Sequence, residues 1–125
     1  MATILIVCVA VFFGGMGLIA LASPPWIPAI YGIQVTTPTG QAEIRGVYGG
    51  FGLAIAGLLF YAALGDAAAL RGGILLSVSM ATGGMAVGRG ASALIAPAGL
   101  HPTWTTFAAE VAMAGALFWA YRLGG

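Results

Sequence analysis

The chain has 125 residues, 61% of them hydrophobic and 6% charged, with a mean hydropathy of +1.06 and a net charge of +1. A water-soluble domain needs about a quarter charged residues to solvate its surface, so this composition excludes a free-standing soluble domain and predicts a polytopic membrane protein. Near-neutrality also argues against a nucleic-acid binder, because no basic stripe exists to replace phosphate counterions.

Four apolar stretches approach the roughly 20 helical residues needed to cross a hydrocarbon core about 30 Å thick. The expected spans are about 3–22, 43–64, 69–91 and 103–122, forming a single all-α transmembrane domain over 1–125, an antiparallel four-helix bundle. The first span ends in Ala20–Leu21–Ala22 before Ser23, which is similar to a signal-peptide cleavage site. No positive residue precedes it and its apolar run exceeds a usual signal core, so it is read as a retained helix. Cys8 sits within this run; with no second cysteine it has no internal disulfide partner, and it is assigned a packing role.

A proline-rich loop, 23–42, separates the first two spans. Pro24, Pro25 and Pro28 are expected to exclude regular helix there and to favour extended structure. A connection this long is expected either to serve a function or to fold back on the bundle. The second connection, around Gly65–Asp66, is short enough to force an antiparallel hairpin. The third, about Ser92 to Pro102, contains Pro97, Gly99 and His101.

Orientation follows from the arginines. Arg71 and Arg122 share one side with both termini, whereas the first and third connections contain neither lysine nor arginine. The positive-inside rule places both termini in the cytoplasm of a bacterial inner membrane. Trp26, Trp104, Trp119 and Tyr121 are the expected interface anchors.

The other charges then gather near the outer face: Glu43 and Arg45 at the mouth of the second span, Arg89 late in the third, and Glu110 roughly 10 Å into the fourth. An ionised group at mid-span costs about 2.5–3.5 kcal/mol on insertion scales, so these residues are expected to face one another. Glu43 and Arg45, two apart, point to different sides of a helix. Glu110 is therefore expected to pair with Arg89, Arg45 or both, with Tyr48 one turn below Arg45 and Glu43 nearer the water. The cluster Glu43, Arg45, Tyr48, Arg89 and Glu110 has three readings: a clasp fixing helix register, a pocket for an anionic or polar headgroup, or an ion pathway. Nothing charged continues such a pathway towards the cytoplasmic half.

Small residues four apart predict close helix packing at Gly46, Gly50 and Ala54, at Gly84 and Gly88, and at Ala108 and Ala112. No phosphate-binding glycine loop, nucleophile triad, paired cysteines or HExxH is present, and one histidine (His101) with two carboxylates gives no metal-ligand spacing. No cofactor, metal or catalytic residue is expected.

Glu43-Ile44-Arg45, Tyr48-Gly49-Gly50, Gly88-Arg89 and a lone Glu110 together resemble a bacterial membrane family known as domain of unknown function 4345. The likeness covers roughly residues 40–122 and, more loosely, the first span. The chain departs from the family pattern at Ala42, where a polar residue is usual, and at Pro97-Ala98-Gly99, where an Asp-Gly step is usual. The resemblance implies a four-helix protein of DoxX-like architecture and implies no reaction. The expected function is a non-catalytic accessory subunit of a larger membrane complex, of respiratory or photosynthetic type, with other subunits or further copies of itself as partners in the lipid bilayer. The alternative is a protein that binds or transports a lipid or small polar solute through the outer polar cluster.

Overall fold

The computed structural model describes residues 1–97 and 99–124, and of Leu100 the backbone alone. All regular structure among the described residues is helical. Helix α1 spans Ala2–Ala22, α2 Trp26–Ile30, α3 Pro38–Leu64, α4 Ala68–Ile95 and α5 Thr105–Gly124. A π-helical turn, Leu100–Trp104, leads into α5. The Pro97–Ala98–Gly99 step falls partly outside the described residues.

Helices α1, α3 and α4 are each long and apolar enough to cross a membrane. The expected fourth span forms as a 20-residue helix, but it is not apolar enough to join them. Glu110 and Arg122 lower its hydropathy, and Glu110 is paired internally, so composition alone under-describes this helix.

The proline-rich connection also departs from expectation. Instead of excluding helix, it holds α2, with Pro25 capping it and Pro28 inside its first turn. First-turn amides have no intrahelical acceptor, so proline there forfeits nothing. Gly32, at φ +74°, closes α2 with Gly32 N–H donating to Ala29 O and Ile33 N–H to Pro28 O, both 3.0 Å. α3 starts five residues earlier than the expected span edge, with Pro38 in its first turn and the Thr37 hydroxyl accepting from Gly40 N–H at 3.1 Å. Its course includes a π-helical turn over Arg45–Gly50.

Two close helix pairs build the molecule. α1 packs on α3 with opposite direction, since Gly17 meets Gly49 while Gly14 faces Ala56. α4 packs on α5, also opposed, with Ser79 Oγ donating to Ala114 O at 2.8 Å. Between the pairs, α1 touches α5 and α3 touches α4 less extensively. The apolar core, with Ile6, Leu59, Leu75 and Leu117 fully buried, fills the half of the molecule where α1 and α4 begin and α3 and α5 end. Arg71 lies at that end, its guanidinium within 3.8 Å of a Cβ built on Gly124, which puts the start of α4 beside the end of α5. The other half holds a cavity.

Candidate functional site

Of the expected pairings, the one between Glu110 and Arg89 forms and the one with Arg45 does not. Arg89 and Glu110 form a bidentate pair, Nε to Oε2 at 3.0 Å and Nη2 to Oε1 at 2.9 Å. Glu110 is almost wholly buried, with 4% of its side chain accessible against 26% for Arg89. Parallel N–H donors on a rigid fork fit two carboxylate oxygens, and a low-dielectric setting strengthens the match. Arg89 also sits over the Tyr31 ring, 5.5 Å from its centroid, within cation–π range.

Arg45 does not reach Glu110. Its Nε donates 3.1 Å to Leu21 O, one of the last carbonyls of α1 that no intrahelical amide can satisfy. The π turn beginning at Arg45 packs against α1, which turns this guanidinium towards the end of α1. Glu43 is exposed and makes no ion pair among the described residues. Tyr48 lines the same cavity as the ion pair, and its hydroxyl makes no hydrogen bond among the described residues. The five-residue cluster thus resolves into a pair, a neighbouring phenol and two residues elsewhere.

The cavity holds about 260 Å³. Its apolar walls include Phe12, Phe13 and three of the chain's five methionines, Met16, Met85 and Met113. Arg89 and Glu110 are its charged residues, with Tyr31, Tyr48, Thr82 and Thr106 supplying hydroxyls. Three of these hydroxyls are committed: Thr82 Oγ1 donates to Val78 O at 2.8 Å, and the Tyr31 and Thr106 hydroxyls bond each other at 2.8 Å. That last bond spans from the end of α2 to α5. A second recess of about 510 Å³, almost entirely apolar, runs outward between α1 and α5 beneath α2. The two share Phe12, Met16, Ile27, Tyr31, Thr106 and Ala109 as common walls.

Tyr31 is expected only as an aromatic anchor at the outer interface, and Thr82, Thr106 and the methionines are not singled out by the sequence reading. Uncharged polar groups carry no insertion penalty large enough to draw attention. The concentration of methionine is the one signal available, since this flexible, polarizable side chain suits irregular or adaptable cavities.

The expected packing residues are corrected throughout. Gly46, Gly50, Ala54, Gly84, Gly88, Ala108 and Ala112 are all exposed. The seam between α1 and α3 uses Gly17, Gly49 and Gly52 instead. A Cβ on Gly17 would meet Gly49 O at 2.8 Å, and one on Gly52 would meet Phe13 O at 3.0 Å. Spacing of four identifies a small-residue face without saying which way that face points, and here it points outward.

Trp26, Trp104 and Trp119 are exposed, while Tyr121 is partly buried against the core. Trp26 and Trp104 lie at the cavity end and Trp119 near the opposite end. Cys8 is exposed on α1. Arg71 is partly buried, with Nε lacking a hydrogen-bond partner among the described residues. His101 Nδ1 lies 3.0 Å from Thr105 Oγ1, and no metal-binding group of three occurs among the described residues.

These features define an all-α protein of apolar, membrane-length helices enclosing one buried ion pair beside a cavity. The chain belongs to the family described as domain of unknown function DUF4345, whose model matches residues 1–121. No curated protein and no solved structure matches it.

Proposed function

We propose that this chain is a multi-pass integral membrane protein, an antiparallel four-helix bundle, that binds a small ligand in the cavity beside Arg89 and Glu110. The observation that carries this reading is a partly enclosed cavity containing an ion pair, beside an apolar recess that shares six of its lining residues. The recess lies in the size range of small-molecule sites, roughly 300–1,000 Å³, and such sites combine apolar walls with a few convergent polar groups. An ion pair serving only to lock two helices would not need a void beside it. With Arg71 and Arg122 at the end shared by the termini, the positive-inside rule favours cytoplasmic termini in a bacterial inner membrane. The cavity then opens towards the outer leaflet.

The test is to extract the full chain gently from its native membrane and weigh it by native mass spectrometry. A small molecule retained by the wild type and lost from Ala109→Phe, a change that fills the shared wall, is the expected outcome. A ligand-free species in wild type and variant alike would defeat the proposal.

A second reading, an accessory subunit in a larger membrane complex, is favoured by the outward-facing Gly46, Gly50 and Ala54 on α3. Small exposed residues allow another helix close approach in lipid. Co-purifying proteins in the same measurement support it, and a clean monomer mass counts against it.

A further inference from the structure

We infer that the cavity takes the polar end of an uncharged amphiphile, one whose head presents carbonyl or hydroxyl oxygens and whose apolar part lies in the recess between α1 and α5. This rests on the ligand-binding reading above and adds the ligand's class and its route of entry.

The first argument is charge. Arg89 and Glu110 cancel within one bidentate contact, so the cavity wall is neutral. A second carboxylate or phosphate brought to Arg89 would sit beside buried Glu110, and two like charges sharing a desolvated site oppose each other. A cationic head would meet Arg89 in the same way. An uncharged head escapes both penalties.

The second argument is hydrogen bonding. A guanidinium has five N–H donors, and Glu110 takes two, leaving three. The Tyr48 hydroxyl adds a further donor with no partner among the described residues. The cavity is thus rich in unspent donors, which an oxygen-bearing head satisfies.

The third argument is access. The recess adjoins the cavity across common walls and is almost wholly apolar. Its far side is formed by exposed Val11, Ile19, Trp26 and Ile30, which line the recess but not the cavity. In a bilayer that side meets acyl chains, so entry is lateral, beneath α2. Tyr31, hydrogen-bonded to Thr106 where the two spaces meet, lies where the head passes inward. Methionine walls adapt to chains of different shape.

The experiment uses the full chain in phosphatidylcholine nanodiscs with a photoactivatable monoacylglycerol bearing a diazirine mid-chain. Labelled residues are mapped by mass spectrometry, with unlabelled monoolein, oleate, oleylamine or glycerol as competitors. The expected result is saturable labelling at Met16 and Ala109 that monoolein abolishes, while oleate and oleylamine compete about tenfold more weakly or worse and glycerol does not compete. Ala109→Phe is expected to remove the saturable labelling and leave the ion pair intact. Glu110→Gln, which uncovers the Arg89 charge, is expected to move preference towards oleate.

Equal or stronger competition by oleate against the wild type overturns the neutral-head assignment, and competition by glycerol overturns the lateral route. Both outcomes leave a ligand-binding protein standing. Absence of saturable labelling, with no small molecule found in the native protein, defeats the inference and the underlying reading together. If Glu110→Gln fails to fold, the wild-type competition series and Ala109→Phe still decide the matter.

Discussion

Helix α1 meets its two neighbours in opposite ways. Against α3 it lies backbone to backbone, with Gly17, Gly49 and Gly52 leaving no room for a single added carbon. Against α5 it stands off behind Phe12 and Met16, and the gap is the recess and cavity. One helix thus carries a closed seam on one side and an open cleft on the other. In a bilayer, where apolar side chains gain little from meeting each other rather than lipid, glycine contact supplies the holding interaction. A helix fixed so firmly on one side can afford a void on the other.

The largest expected effect lies in the cleft. Glu110→Ala leaves Arg89 without its counter-charge in a largely buried site, and removal of one partner of a buried pair costs about 3–5 kcal/mol in soluble proteins. Thermal unfolding in detergent reads this, and Arg89→Ala should lower the melting temperature more than Arg71→Ala, because Arg71 has no carboxylate partner among the described residues to orphan. Equal losses would remove the distinction between a paired and an unpaired arginine.

Next comes the seam. Gly17→Leu drives a side chain into Gly49 O and the Leu53 backbone, where overpacking typically costs about 1–3 kcal/mol. A mild effect would mean that α1 and α3 separate readily, and the contrast with the cleft would fail. On the α4–α5 side, Ser79→Ala removes the single hydroxyl bond to Ala114 O and is expected to cost about 0.6 kcal/mol, the average for such bonds in a membrane protein. Opposite in sign is Gly50→Ala, on an exposed face, where a better helix former is expected to stabilise by about 1 kcal/mol at most. A loss of stability there would show that this face is covered in the assembled protein.

Much of the helical layout was legible because apolar length is written directly in composition. The Arg89–Glu110 pair was legible for a related reason: so few charges occur in this chain that two within largely apolar helices are expected to answer each other. Arg45 misled because its nearest alternative partner is a backbone carbonyl, Leu21 O, and carbonyl vacancies at helix ends have no sequence signature. The seam glycines misled because Gly17, Gly49 and Gly52 do not follow the four-residue spacing that marked Gly46 and Gly50, and rotational phase is set only when helices meet. α2 was hidden by its prolines, which break helices from within yet suit their first turns. The cavity could not be read at all, since emptiness depends on where side chains from five helices fail to meet.

The π-helical turn over Arg45–Gly50 bears on how this chain tolerates change in length. Such a turn holds one residue more than an α-helical path would, and each residue advances a helix by roughly 100°. Deleting one residue between Arg45 and Gly50 would therefore act as a rotation rather than a rupture. The part of α3 carrying the seam glycines would keep its grip on α1, while Pro38–Ile44 and Arg45 would swing round to a new bearing. Arg45 would then leave Leu21 O, and the first turns of α3 could be re-aimed without unpicking the core.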